Sequence, residues 1–123
     1  MIHLDTSALV GAFCGARTAA ADLRRLVADG ERLGVSTLVW YEWWRGPRLE
    51  PELQTQELIV PSRAAVPFGA AEAALAARLY VRVSRARQRT LDLAIAACAI
   101  SNDAALWTLN PRDFADIPGL TLV

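Results

Sequence analysis

Apolar and polar positions along this chain switch repeatedly between a strand-like and a helix-like period. The opening run "MIHL" is short and apolar, ends on Asp5, and predicts a strand. "DTSALVGAFC" follows with a cap-type start and an apolar run, so strand passes directly into helix. "RTAAADLRRLVADG" predicts a second helix, with Ala20, Leu23, Leu26 and Val27 on one face and Gly30 as its stop. "RLGVST" predicts a second strand, and Thr37 is placed to cap a helix over "LVWYEWWRG" that ends at Gly46 and Pro47. "PELQTQELIV" carries proline at a helix start and predicts a short helix. "AAVPF" is patterned as a weak third strand. Residues 70–88 predict a long alanine-rich helix with Leu75, Leu79 and Val83 along one side. "LDLAIAACAISND" predicts a further helix, almost wholly apolar and therefore central. "ALWTL" predicts a strand, "NPRDFADIPG" a loop or single turn, and "LTLV" a closing strand. Alternating strands and helices predict an α/β fold whose central parallel sheet is flanked by helices on both faces. With no linker or repeat, residues 1–123 form one domain.

Composition narrows the chemistry. The hydrophobic fraction of 54% predicts a real core. Thirteen basic residues balance thirteen acidic ones, so no global field marks a nucleic-acid binder. Every basic residue is an arginine. Without lysine there is no P-loop and no Schiff-base chemistry. Cys14 and Cys98 lack metal-ligand spacing and are expected to be buried free thiols in a reducing compartment. His3 is the only histidine and is expected to be a packing or edge residue, which argues against zinc. An acid at position 5 interrupts the N-terminus before any apolar run, and no stretch reaches the ~18 apolar residues of a membrane span. The expectation is a cytoplasmic protein with no signal peptide and no membrane segment.

In a parallel α/β fold, ligands sit beyond the carboxyl ends of the strands. Asp5 ends the first strand, Asn110 and Asp113 follow "ALWTL", Asp92 opens the most apolar helix, and Glu42 lies early in another. Each has an ordinary role open to it: Asp5 as a helix cap, Asp92 as an anion at a helix N-terminus, Glu42 as a solvated helix residue, and Asn110–Asp113 as a turn. Gathered together without lysine, they would repel one another and call for a hard cation such as Mg²⁺ or Mn²⁺. Acids with such an ion point to phosphoryl chemistry. Arg78, Arg82, Arg85 and Arg89 recur at helical spacing within the predicted helix and its extension. They form a stripe suited to an RNA backbone, or a solvated face paired with acids elsewhere.

The motifs carrying these acids resemble those of PIN-domain ribonucleases, in particular VapC-type toxins of toxin–antitoxin pairs. "LDTSALV" is similar to the family's first-strand motif, "YEWWRG" to its Glu-x-x-x-Gly helix, "DLAIAACA" to its Asp-hydrophobic-x-Ile-Ala-Ala helix, and "TLNPRDF" to its Thr-x-Asn-x-x-Asp-Phe signature. The resemblance spans nearly the whole chain. It implies a three-layer PIN-like domain and a Mg²⁺- or Mn²⁺-dependent endoribonuclease that cleaves RNA by metal-activated water. Asp5, Glu42, Asp92 and Asp113 would be the metal-binding and catalytic acids, with Asn110 orienting the last and the hydroxyls of Thr6 or Ser7 supporting the site. It further implies a cognate antitoxin, with a basic or amphipathic tail across the acidic cleft, and a homodimer. Where some relatives place a glycine turn and an extra acid before the third aspartate, "SRARQRT" has neither. The alternative reading is a non-catalytic PIN-like RNA-binding or scaffold module, against which the full set of acids argues.

One stretch is chemically odd. "LVWYEWWRG" sets Glu42 among three tryptophans and a tyrosine. On a helix Trp40, Trp43 and Trp44 share one side, and Glu42 points roughly away from Trp40. The aromatics are expected to wall the helix against the sheet or a partner while Glu42 faces the cleft. Any exposed tryptophan is a candidate for antitoxin or dimer contacts.

Overall fold

The computed structural model describes residues 1–15 and 17–123. Strand β1 (Ile2–Leu4) leads into α1 (Thr6–Phe13) and α2 (Arg17–Ala28), then β2 (Leu33–Gly34). Helices α3 (Thr37–Arg45), α4 (Glu50–Ile59), α5 (Ala70–Tyr80) and α6 (Thr90–Ser101) precede β3 (Ala105–Trp107). The three strands form a parallel sheet in the order β2-β1-β3, so β1 is central, and the helices flank it as the α/β pattern predicts. Ile2 pairs with Leu33 and Ala105, and Leu4 with Trp107. The Asp5 N–H donates to the Trp107 carbonyl at 2.9 Å, carrying the β1–β3 ladder up to the first acid.

The apolar character of α6 is explained by its place. Every residue from Leu93 to Ala99 is buried, and this helix packs on α3, α5 and β3. Helix α3 joins α4 through a polar pair inside the core. Trp43 Nε1 donates to Gln56 Oε1 at 3.2 Å, and Gln56 Nε2 donates to the Val60 carbonyl at 2.9 Å. Burying the Gln56 amide is tolerable because both ends are bonded.

Several sequence-based boundaries shift. The predicted helix over 70–88 stops at Tyr80. Val81 and Val83 are β-branched, Ser84 competes for backbone bonds, and the chain turns through Arg85 at φ 55° into a 3₁₀ turn at Ala86–Gln88. The expected strands at 64–68 and 120–123 reduce to single bridges, Ser36 with Val66 and Leu106 with Leu122. Prolines at 61 and 67 remove donors around the first, and the second is too short beyond Pro118–Gly119 to form a ladder. Ser36, not Thr37, caps α3. Its Oγ accepts from the Val39 N–H at 3.2 Å, while Thr37 Oγ1 accepts from the Phe68 N–H at 3.3 Å. Glu52 and Glu72 accept from the Leu49 and Gly69 N–H groups at the starts of α4 and α5. Cys98 is buried as expected, but Cys14 is only partly so; both thiols are free.

His3 is a packing residue. It is 2% exposed, and burial, aided by the charged N-terminus, lowers its pKa to about 4, so it stays neutral. Its ring lies over its sheet partner Gly34, where a Cβ would come within 2.7 Å of His3 Cδ2. Gly34→Ala should therefore destabilise the fold by ~1–3 kcal/mol through overpacking. Urea or thermal unfolding measures this, and wild-type stability in the variant would show that the ring yields freely.

Candidate active site

Asp5 lies where β1 ends and α1 begins. It occupies the N-cap position, but its side chain makes no cap hydrogen bond. Its carboxylate, 6% exposed for the residue as a whole, instead accepts two hydroxyl bonds on Oδ2, from Ser7 at 3.0 Å and Thr108 at 2.8 Å. Each hydroxyl has one proton, so with both given to Asp5 the 3.1 Å Ser7–Thr108 approach is a contact of two acceptors. Among the described residues, Oδ1 accepts no hydrogen bond.

The same two hydroxyls shape the loop after β3. Ser7 Oγ accepts from the Leu109 N–H at 2.9 Å, and Thr108 Oγ1 from the Asn110 N–H at 3.1 Å. This pins the backbone that carries Asn110 and the 3₁₀ turn Pro111–Asp113 to the end of β1. Asn110 and Asp113 are exposed on it. Glu42 is presented by the middle of α3. Thr6 donates to its Oε1 at 2.6 Å across from α1, and Arg45 Nη2 lies 3.3 Å from its Oε2. Asp92 sits in the first turn of α6.

Asp92 feels the other three acids. The Asp92 pKa is raised to about 6, first by burial and then by the negative charges of Asp5, Asp113 and Glu42, with Arg89 opposing. Elements widely separated in sequence thus bring Asp5, Glu42 and Asp113 within electrostatic reach of Asp92. Asp92 and Asp113 open onto a cavity of about 420 Å³ that Asp116 and the guanidiniums of Arg85, Arg89 and Arg112 also line.

A family model described as PIN domain matches residues 2–120. The chain belongs to the PIN domain family. Its structure is similar over 100% of its length to 98% of a chain in VapBC2 from Rickettsia felis bound to a DNA fragment from their promoter, at 25% identity and TM-score 0.73. A DNA-bound VapBC from Salmonella typhimurium matches over 99% of this chain and 96% of that one, at 21% identity and TM-score 0.76. A toxin–antitoxin complex from Klebsiella pneumoniae matches over 98% and 96%, at 23% identity and TM-score 0.76. No curated protein matches the chain.

The arginines of this PIN domain are arranged differently from the sequence expectation. With α5 ending at Tyr80, Arg78, Arg82, Arg85 and Arg89 share no helix face. Arg78 remains on α5, Arg82 falls in the following turns, and neither lines the cavity. Arg85 does. Arg89 also does, but its guanidinium bonds Asp116 and backbone carbonyls and so is not a free cation. Thr6 and Ser7, whose hydroxyls were expected to support the site, turn them onto Glu42 and Asp5 respectively. Thr108, Arg112 and Asp116 were not singled out from the sequence. The first two lie inside "TLNPRDF", whereas nothing local marks Asp116, because its partner is 27 positions away.

The raised Asp92 pKa has a stability consequence with a definite sign. The folded PIN domain holds this proton more tightly than the unfolded chain, whose carboxyl has its ordinary value of 3.8. Ionisation therefore costs stability as pH rises. The cost is absent below the lower value and complete above the folded value of about 6. In chelator near pH ~8, Asp92→Asn should stabilise the fold by about 1 kcal/mol after allowance for solvent screening, and near pH ~3.5 the gain should vanish. Denaturant unfolding at both pH values checks it; a variant less stable than wild type near pH ~8 contradicts the electrostatic account.

Proposed function

We propose that this PIN domain is a Mg²⁺- or Mn²⁺-dependent endoribonuclease acting as the toxin of a toxin–antitoxin pair. The observation that carries the reading is the set of negative charges, Asp5, Asp113 and Glu42, around a half-buried Asp92, whose pKa is raised to about 6 first by burial and then by those charges, without a lysine to relieve it. Crowded oxygen donors of this kind suit a hard divalent ion. Among the described residues, no three acids, histidines or cysteines approach closely enough to enclose an ion unaided. A set this open fits Mg²⁺, which keeps several of its waters. Asp5, Asp92 and Asp113 would hold the ion directly or through water, with Glu42 on the α3 side and Asn110 beside Asp113. When bound, such an ion activates water as a nucleophile at neutral pH and stabilises charge on phosphoryl oxygens.

The chain's own residues supply the rest. Ser7 and Thr108 orient Asp5, and Thr6 orients Glu42. These are neutral donors, so they fix the carboxylates without cancelling their charge. Arg85 and Arg112, which have no acidic partner among the described residues, line the cavity beside Asp92 and Asp113 and are placed to take the RNA phosphates. The partners in this reading are an antitoxin with a basic or amphipathic segment, as VapBC complexes are among the similar structures, and a second copy of the chain. No helix among the described residues is long and apolar enough to cross a membrane.

Purified protein with Mg²⁺ or Mn²⁺ should cleave RNA internally. Asp5→Ala, Asp92→Ala and Glu42→Gln should fold and lose that cleavage. The loss should be at least the roughly 10–100-fold that removing an outer-shell partner of a metal costs. Cleavage that survives chelation, or unchanged rates in all three variants, would overturn the mechanism.

A further inference from the structure

The site contains a guanidinium that cannot be explained by substrate binding. Arg89 is 15% exposed at its side chain, and four of its N–H contacts are occupied. Nη1 donates to Asp116 Oδ2 at 2.9 Å and to the Ser84 carbonyl at 3.0 Å. Nη2 donates to Asp116 Oδ1 at 2.5 Å and to the Asp113 carbonyl at 2.9 Å. The pair with Asp116 is a two-pronged fork, the geometry in which arginine is strongest and lysine has no equivalent. The backbone of Arg89 is equally committed. Its carbonyl accepts from the Leu93 N–H at 2.9 Å, so it is part of the first turn of α6 that carries Asp92. One residue therefore grips the helix start of one acid with its backbone and the loop of another with its side chain.

We propose that Arg89 and Asp116 form a clamp that sets the separation of Asp92 and Asp113 and thereby the affinity of the acid set for a divalent ion; Arg89 is a positioning residue, not an RNA contact. The proposal rests on the metal-dependent reading above. Asp116 has a second use in it. A bare guanidinium among these acids would oppose cation binding, and the Asp116 carboxylate neutralises it locally. The clamp thus supplies rigidity without adding net charge to the site.

The sign of one measurement separates positioning from plain electrostatics. On charge alone, Arg89→Ala makes the site more negative and tightens Mn²⁺ binding. If Arg89 positions the acids, the same variant weakens it. Titration calorimetry of the purified full chain with Mn²⁺ should show roughly 10-fold weaker binding for Arg89→Ala. Arg89→Lys, which keeps the charge and loses the fork, should weaken binding as well. Asp116→Ala should cost a similar factor, and the double variant should be no worse than the poorer single one, because both remove the same clamp. Arg24→Ala, on α2, is the unchanged control. Tighter or wild-type binding in Arg89→Ala overturns the clamp while leaving the metal reading intact. No Mn²⁺ binding by the wild type overturns both. Should circular dichroism show Arg89→Ala unfolded, the half-exposed Asp116 carries the test, and wild-type affinity in Asp116→Ala overturns the clamp.

Discussion

Repulsion among carboxylates is the constraint around which this PIN domain is organised. Asp5, Glu42, Asp92 and Asp113 come from a strand end, two helices and a 3₁₀ turn, and burial, reinforced by the negative charges of the other three, raises the Asp92 pKa to about 6. Left alone, such acids would splay apart. The apolar framework opposes that. Helix α6 is buried from Leu93 to Ala99 and cannot withdraw Asp92 without exposing its core face. Strand β1 is the central strand and cannot shift Asp5 without losing pairing on both sides.

The polar supports divide by charge. Where a carboxylate must stay available, its partner is a neutral hydroxyl: Ser7 and Thr108 on Asp5, Thr6 on Glu42. Where a loop must be locked, a full charge is used and then matched, as in the fork of Arg89 on Asp116. The partial exception is Arg45, whose more exposed contact with Glu42 is of the kind that contributes little in water. Arg85 and Arg112 remain as cations that line the cavity together with Asp92 and Asp113.

The glutamate among tryptophans fits this division. Trp40 and Trp43 are buried, while Trp44 stacks on Trp40 at 5.4 Å between ring centroids and stays half-exposed. The rings anchor α3 on the core side, and Glu42 leaves from another face of the same helix to meet Thr6 of α1. Dense aromatics beside an acid are therefore no conflict. They are what holds that acid's helix in place.

Period and motif order were enough to read the parallel α/β frame and the central place of α6, and to pick out four acids of which three act electrostatically on Asp92, because each depends on residues close together in the chain. Asp5 follows an apolar run, Asp92 opens one, and Asn110 and Asp113 follow a strand. The flanking helices follow from the same local signals. What the sequence alone misjudged depends on distant partners. Alanine content and helical spacing extended the predicted helix to residue 88, yet the chain turns at Arg85, and Arg89 finds Asp116 across 27 positions. Thr6 and Ser7 are adjacent and chemically alike, but one supports Glu42 on α3 and the other Asp5. Local propensity determined the main strands and helices and the acids at their ends. Only the tertiary structure decided which arginine is a clamp and which hydroxyl serves which acid, because those choices rest on where two remote backbones meet.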